Sequence, residues 1–177
     1  TQRRQLFFKP NAGYGGRAGA YKGGLGSASA VTDDGIAVGA IVAVNSFGSP
    51  VIPGTSTLWA WPFEQNGEMG RQVPPRGGSM PMGLPDDVKR PPQPGGNTTI
   101  GIVAVNAILT PAQAKRVAIM AQDGLARSLR PVHTPLDGDS VFVVATGERP
   151  LADPAALEVT VLGSLAADCL ARAVGRA

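Results

Sequence analysis

The stretch PGGNTTIGIVAVNAILTP, residues 94–111, joins a Pro/Gly segment to a run of apolar, β-branched residues. Within it, Ile100–Val105 has the composition of a buried β-strand. The sequence Thr110-Pro111-Ala112-Gln113 then predicts a helix start, with a hydroxyl at the N-cap, Pro in the first turn and Gln three residues after the cap. The helix is expected to run to about Leu129. Its apolar side should carry Val117, Met120, Ala121 and Leu125.

Two more strands and a second helix are predicted around this core. The apolar segment GIAVGAIVAVNSFG, residues 35–48, predicts a strand that is buried on both faces and ends at Asn45. Ser140–Thr146 predicts another strand, and Asp153-Pro154 predicts the cap of a helix reaching about Val174. The inward side of that helix should carry Leu157, Val161, Leu165 and Leu170. This order of elements indicates one layered domain of the α/β or α+β class.

Two segments have unusual composition. Residues 11–30 are so rich in glycine that we expect backbone to approach backbone or a ligand there. Residues 49–97 contain ten of the 16 prolines and show no periodicity. A structureless loop of this length is typically functional or mobile. Trp59 and Trp61 are expected to pin its first part to a surface.

Composition excludes several classes of function. The 177 residues are 43% hydrophobic and 16% charged, with a net charge of +3 and no long basic run, so nucleic acid is not an expected partner. The longest apolar runs are too short to cross a bilayer, so a membrane is not an expected partner either. The single cysteine, Cys169, excludes an internal disulfide and fits a reducing, cytoplasmic location. The start, TQRRQLFFKPN, does not resemble a signal peptide. With one His and one Cys, a metal site is not expected, and no cofactor is predicted.

The Asn97-Thr98 pair at the end of the loop permits self-cleavage. A threonine hydroxyl can attack the carbonyl of the residue before it, and hydrolysis of the resulting ester leaves Thr98 as a new N-terminus. Its α-amino group, with a reference pKa of about 8, could then act as the base for its own hydroxyl. Two alternatives remain open: Thr98 and Thr99 are also ordinary β-strand residues, and Asn97-Thr98-Thr99 matches a glycosylation sequon.

Several blocks in order resemble one family. They are GRAGAYKGGLGSAS, GAIVAVNSFG, GGNTTIGIVAVNA, RPVHTPLDGDSVFVVATGE and ADCLARAV, which span roughly residues 11–175. They are similar to the self-processing N-terminal-nucleophile hydrolases of peptidase family S58, which include L-aminopeptidase/D-esterases, β-peptidyl aminopeptidases and 6-aminohexanoate-oligomer (nylon-oligomer) hydrolases. The Asn97/Thr98 pair is most like the last of these branches, in which Thr is the nucleophile.

The resemblance implies an α+β fold, the αββα four-layer sandwich that is related to that of the ornithine acetyltransferases. It also implies cleavage into an α-subunit ending with residues 1–97 and a β-subunit of residues 98–177, which stay together as one domain. Family members are about twice as long, so the N-terminal half of the sandwich has no counterpart in these residues. Homo-oligomers, as tetramers of αβ units, are expected.

Further site residues follow from the same resemblance. Thr98 matches the nucleophile, Asn45 a donor to the oxyanion, Lys22 a cation that lowers the pKa of the α-amine, and Asp137 and Asp139 an acidic pair beside the nucleophile. Each also has a plain alternative. Lys22 could be a solvated loop charge, Asn45 could close a turn, and Asp137-Gly138-Asp139 could itself be a turn.

Two reactive side chains are assigned structural roles. His133 is expected to be a hydrogen-bonded residue of the Pro131–Pro135 loop, because the threonine mechanism needs no imidazole. Cys169 is expected in the core. The predicted substrate is a short peptide or a linear ω-amino-acid oligomer. An aminopeptidase/D-esterase acting on peptides only, an acyl transfer like that of the ornithine acetyltransferases and a non-catalytic assembly module are the alternatives.

Overall fold

The computed structural model describes residues 15–77, 82–91 and 95–177. A small ladder pairs Arg17–Ala18 (β1) with Tyr21–Lys22 (β2), and the larger sheet contains Gly24–Val31 (β3), Ala37–Asn45 (β4), Thr98–Ala107 (β5) and Ser140–Arg149 (β6). The large sheet has the order β3-β4-β5-β6. Its first two pairings are antiparallel, and β6 is parallel to β5. The predicted strands are therefore present, and those over 100–105 and 140–146 are longer than expected.

The two predicted helices are Pro111–Ala126 (α1) and Ala155–Gly175 (α2), and a 3-10 helix covers Trp61–Phe63. The start of α1 is confirmed. The Thr110 side chain accepts the Gln113 N–H, and the Gln113 side chain accepts the Thr110 N–H, which satisfies two donors that a helix start would leave unpaired. Since α1 carries the chain from one end of β5 back to the other, β6 can pair with β5 in parallel.

Both helices pack on one face of the large sheet. The core between them is built from Val38, Val42, Val103, Val105, Val117, Leu125, Leu162 and Leu170. On the opposite face of the sheet, the apolar side chains of Ile100, Ile102, Phe142 and Val144 are exposed. Within the described residues, the strand predicted over residues 35–48 is thus buried on one face only, and not on both as predicted. Burial alternates along β4, because within the described residues only the helix-facing side of the sheet is covered.

The predicted face of α2 is also partly wrong. Leu170 is buried and Leu165 is partly buried, but Leu157 and Val161 are exposed. The buried stripe instead carries Val159, Leu162, Ala166, Cys169 and Ala173. This helix is apolar on most of its circumference, so the spacing of its residues does not tell which side faces the sheet. The predicted Asp153 cap is absent as well, because Pro154 takes the N-cap position without a side-chain hydrogen bond.

Residues 15–30 of the glycine-rich segment contain β1, β2 and most of β3, and the glycines of β3 allow close backbone approach as predicted, while residues 11–14 lie outside the described residues. A Cβ on Gly26 would lie 1.9 Å from the Ala173 carbonyl oxygen, and one on Gly24 would lie 2.5 Å from that of Ala177. Only glycine lets the last turn of α2 pack this closely on the strand.

The proline-rich segment is irregular but anchored, contrary to a structureless loop. The Glu64 carboxylate accepts the backbone N–H groups of Met69, Arg71 and Gln72. Glu68 forms a buried double hydrogen bond with Arg172 on α2, with Nε–Oε1 at 2.6 Å and Nη2–Oε2 at 2.9 Å. Arg130 lies 5.3 Å from the centre of the Trp59 ring, so the predicted contact of this tryptophan is present. Residues 78–81 and 92–94 of the predicted loop lie outside the described residues.

Candidate active site

Most of the predicted site residues lie at one edge of the large sheet. Asn45 ends β4 and pairs with Thr98, which begins β5. One residue earlier, Asn97 forms a bridge to Asp137, in the loop that leads into β6. The Thr99 N–H donates to Asp139 Oδ1 at 2.9 Å. The antiparallel β4–β5 and parallel β5–β6 pairings therefore bring together groups that are far apart in the sequence.

The Thr98 hydroxyl lies against the carbonyl of the residue before it. Its Oγ1 donates to the Asn97 carbonyl oxygen at 2.6 Å, and the Gly138 N–H donates to the same oxygen at 3.0 Å. Two donors on one carbonyl oxygen withdraw electron density from its carbon, which favours attack by a nucleophile. The Gly138 donor was not predicted, because a backbone N–H has no signal in the sequence beyond the glycine itself.

The acidic pair holds the backbone around Thr98 in place. Asp137 accepts the Phe47 N–H at Oδ1 (2.9 Å) and the Thr134 hydroxyl at Oδ2 (2.6 Å). Asp137 thus ties the end of β4 to the loop before β6, while Asp139 ties that loop to β5. The hydrogen bonds of the Asp137 and Asp139 carboxylates described above go to residues that surround Thr98. The Thr98 hydroxyl itself donates to the Asn97 carbonyl oxygen.

His133 contacts the site through Asp139. Its Nδ1 lies 3.1 Å from Asp139 Oδ2, and its backbone N–H donates to the same oxygen at 3.3 Å. The Asp139 side chain is only 2% exposed, whereas that of His133 is 36% exposed. His133 is therefore the hydrogen-bonded loop residue that the sequence predicts, and its partner is one of the predicted site residues.

The Asn45 side chain is held by Arg17 and by two residues of the proline-rich segment. Its Oδ1 accepts from Lys89 Nζ at 2.7 Å and from the Arg17 N–H at 3.1 Å. Its Nδ2 donates to the Gly96 carbonyl oxygen at 3.2 Å. Burial lowers the pKa of Lys89 below its usual value, and the charge of Arg17 adds to this effect, while Asp137 opposes it. Lys89 was missed because it lies in a segment without periodicity.

Lys22 lies at the same edge of the sheet. It ends β2, two residues before Gly24, which pairs with Val44. Its side chain lines a largely apolar cavity together with Tyr21, Val44, Leu58 and Val174. Its effect on the pKa of a Thr98 amine remains a prediction.

Other reactive groups have different surroundings. Cys169 is buried on α2 with its Sγ 3.8 Å from the Val38 carbonyl oxygen, and burial raises the pKa of its thiol to about 11, so it is a core residue as predicted. In the described ranges, no group of three or more His, Cys, Asp or Glu side chains could hold a metal ion. The described helices include none long and apolar enough to cross a membrane.

Comparison with a solved structure defines the class of fold. An L-aminopeptidase D-Ala-esterase/amidase from Ochrobactrum anthropi, described as a variant of the Ntn hydrolase fold, matches with a TM-score of 0.60 at 20% identity. The match covers 93% of this chain and 42% of that one. The α+β fold is therefore the one predicted, and the described residues provide one helix layer and one sheet layer of it.

The chain belongs to peptidase family S58, whose sequence profile matches residues 11–177. An uncharacterised aminopeptidase from Mycobacterium tuberculosis is 44% identical over 174 residues, which is 92% of this chain and 49% of that protein. A 6-aminohexanoate-oligomer endohydrolase from Kocuria sp. is 30% identical over 86 residues, or 45% of this chain and 24% of that protein. The chain thus spans about half the length of the first of these relatives, and the family predicted from the sequence is confirmed.

Proposed function

We propose that this chain is part of a self-processing amide hydrolase whose nucleophile, Thr98, is released by cleavage of the Asn97–Thr98 bond. The observation that carries the proposal is the position of Thr98 Oγ1, 2.6 Å from the Asn97 carbonyl oxygen that Gly138 also binds. The hydroxyl proposed as nucleophile and a donor to the developing oxyanion thus both contact the Asn97 carbonyl oxygen before any bond breaks.

In the cleavage step, Thr98 Oγ1 attacks the Asn97 carbonyl carbon. The new C–O bond replaces the C–N bond, and the Thr98 nitrogen takes up the proton and becomes an α-amine. Water then hydrolyses the ester, which leaves a carboxylate on Asn97 and a free hydroxyl on Thr98. Gly138 N–H is positioned to stabilise the oxyanion of this reaction, because it already binds the oxygen on which the charge develops.

In the mature enzyme, the Thr98 α-amine takes the proton from Oγ1, which attacks the amide carbon of a substrate. The leaving amine receives that proton, and water hydrolyses the acyl-enzyme. Departure of Gly96 would release Asn45 Nδ2 to donate to the substrate oxyanion, while Lys89 and the Arg17 N–H keep the Asn45 amide oriented. Lys22 is assigned the role of lowering the pKa of the α-amine, and Asp137 and Asp139 hold the surrounding backbone.

The relatives indicate the class of substrate. One is named an aminopeptidase and another a 6-aminohexanoate-oligomer endohydrolase, so we propose short peptides or linear ω-amino-acid oligomers. We also propose that the two cleavage products stay associated, since β4 and β5 remain paired, and that the αβ units form a homo-oligomer.

Replacing each of the two neighbouring threonines tests the nucleophile. We expect Thr98→Ala to abolish both cleavage and amide hydrolysis, and Thr98→Ser to retain both. Thr99→Val is the matched control, because the Thr99 hydroxyl is buried without a hydrogen-bond partner among the described residues and valine has the same shape. Denaturing electrophoresis and mass spectrometry should show a fragment that begins at Thr98. An active wild-type preparation that stays uncut would refute the proposal.

A further inference from the structure

We propose that the groups that enclose the Asn97 side chain in the uncut chain form the acyl-residue pocket of the mature enzyme. This inference rests on the proposed function and specifies its substrate. The pocket would select an acyl residue with a short side chain that donates a hydrogen bond, asparagine above all.

The Asn97 side chain occupies a defined site. The residue is only 2% exposed, and its Nδ2 donates to the Leu136 carbonyl oxygen at 3.1 Å. Its backbone is fixed too, by the bridge to Asp137 and by the Gly138 N–H on its carbonyl oxygen. These contacts bury Asn97 and fix both its side chain and its backbone, so the surrounding residues form a binding site for this residue.

The chemistry of self-cleavage makes this site an acyl site. When Thr98 Oγ1 has replaced the Thr98 nitrogen on the Asn97 carbonyl carbon, Asn97 is the acyl group of an ester to Thr98, and the α-amine is free. An acyl-enzyme formed from a substrate has the same bonds around Thr98. The acyl residue of the substrate therefore takes the place that Asn97 occupies, once hydrolysis has released the Gly96–Asn97 end.

The acceptor in this pocket is held rigidly. The Leu136 N–H donates to the Thr134 hydroxyl at 3.2 Å, and that hydroxyl donates to Asp137 at 2.6 Å. The Leu136 carbonyl oxygen would lose its Asn97 partner when the cleaved end departs. A half-buried acceptor that loses its donor is unfavourable, so a substrate that supplies an N–H there gains affinity over one that does not.

Three acyl residues of nearly equal shape test this selectivity. Asparagine donates a side-chain hydrogen bond to the Leu136 oxygen, leucine cannot, and the aspartate carboxylate places negative charge against it. For the full-length, processed protein we expect kcat/KM for Asn-Ala-Ala to exceed that for Leu-Ala-Ala by about tenfold or more, with Asp-Ala-Ala the poorest of the three. Release of the dipeptide Ala-Ala would be measured.

Variants of the uncut chain provide a second measurement. Asn97→Leu and Asn97→Asp should slow self-cleavage in the same order as the peptides, because they change the acyl residue of the first ester. One outcome would be that these variants cleave slowly while the processed wild type hydrolyses all three peptides at the same rate. In that case the contacts of Asn97 serve only to position the uncut chain for cleavage, and the proposed pocket is refuted. A processed protein that hydrolyses none of the three peptides also refutes the pocket. A wild-type chain that remains uncut refutes the proposed function instead.

Discussion

A methyl group on residue 138 would crowd the Thr98 hydroxyl beside the Asn97–Thr98 bond. A Cβ at this position would lie 3.0 Å from Thr98 Oγ1, which is tighter than ordinary van der Waals contact, and 3.8 Å from the Asn97 carbonyl oxygen. The side chain of residue 138 therefore decides whether the hydroxyl can keep its position against the carbonyl.

We expect Gly138→Ala to slow self-cleavage by about tenfold or more while the protein still folds, because small displacements of a nucleophile have large effects on rate. Gly39→Ala on β4 is the control, since the nearest atom to its new Cβ would be Ser29 Cβ at 4.0 Å. The rate is measured by following the two fragments on denaturing gels. Equal rates for both variants would show that the hydroxyl tolerates displacement.

His133 is expected to act as a positioning residue through Asp139. Its φ of +55° is a conformation that asparagine tolerates better than most residues, and an asparagine amide can replace the Nδ1 donor. We therefore expect His133→Ala to slow cleavage several-fold and His133→Asn to restore most of the rate. Slow cleavage by both variants would point to a role of the imidazole that the amide cannot replace.

The sequence predicts the residues of the site better than their contacts. Thr98 could be found from the Asn97-Thr98 pair where the proline-rich segment meets a strand, whereas Asn45, Asp137 and Asp139 were found through the resemblance to the family. Gly138 acts through its backbone and Lys89 lies in an irregular segment, so neither has a pattern that could reveal it. The roles assigned to Thr98, Asn45, Lys22 and the acidic pair stay predictions.

Among the elements, the proline-rich segment is joined to α2 by a buried ion pair. Glu68, with its side chain only 7% exposed, binds Arg172 on α2 and also contacts Arg176. This pair fastens the middle of the segment to the helix layer. Removing one partner of a buried pair leaves a charge that is costly to bury.

We expect Glu68→Gln to lower the free energy of unfolding by about 3 kcal/mol, as is typical when a buried ion pair loses one partner. Asp168→Asn is the control. It removes the partner of Arg127 in a pair whose side chains are 39% and 43% exposed, and exposed pairs contribute about 1 kcal/mol or less. The free energies of unfolding of both variants are measured by denaturant unfolding. An equal decrease in the two variants would mean that the Glu68 carboxylate is hydrated in solution.

The same pair should make stability depend on pH. Burial alone would raise the pKa of Glu68, but the hydrogen bonds and charge of Arg172, with the Gln65 N–H and the charge of Arg176, outweigh burial and hold the pKa below its usual value. Because the pKa of Glu68 is lower in the folded state than in the unfolded state, its ionised carboxylate stabilises the fold at pH values above the ordinary carboxyl pKa. This stabilisation is lost as the pH falls through the lowered pKa. The stability difference between wild type and Glu68→Gln should therefore narrow in acid. A constant difference would contradict this assignment.

The sequence predicts elements where a local signal exists. The capping box at Thr110 and the β-branched run after Thr99 are such signals, and α1 and β5 were predicted well. The buried side of α2 was not predictable, since apolar residues occupy most of its circumference. The anchoring of the proline-rich segment depends on Glu68 and Arg172, which are 104 residues apart in the sequence.

At the scale of the whole molecule, the described residues leave the apolar sheet face opposite the helices uncovered. Ile102 is 42% exposed and Phe142 is 57% exposed on this face. The family fold is a four-layer sandwich by resemblance, and the described residues supply two of its layers. We expect a second sheet to cover this face in the full-length protein.

Charged substitutions test whether the face is covered. We expect Ile102→Glu to destabilise the full-length protein by about 3 kcal/mol or more, because it would bury an unpaired carboxylate. Ile119→Glu on the outer side of α1 is the control, since Ile119 is 48% exposed and is expected to remain so. Thermal unfolding of both variants is the measurement. Similar melting temperatures would show that the sheet face stays in contact with water.

The pairing of Asn45 with Thr98 has a consequence for maturation. It is the terminal pair between β4 and β5, so the proposed break lies just outside the ladder and leaves its pairs intact from Asn45–Thr98 to Val38–Val105. The new N-terminal residue, Thr98, would stay paired with Asn45, so this end of β5 would not fray. The folded, uncut precursor would therefore become active on cleavage without refolding and with little change in its melting temperature.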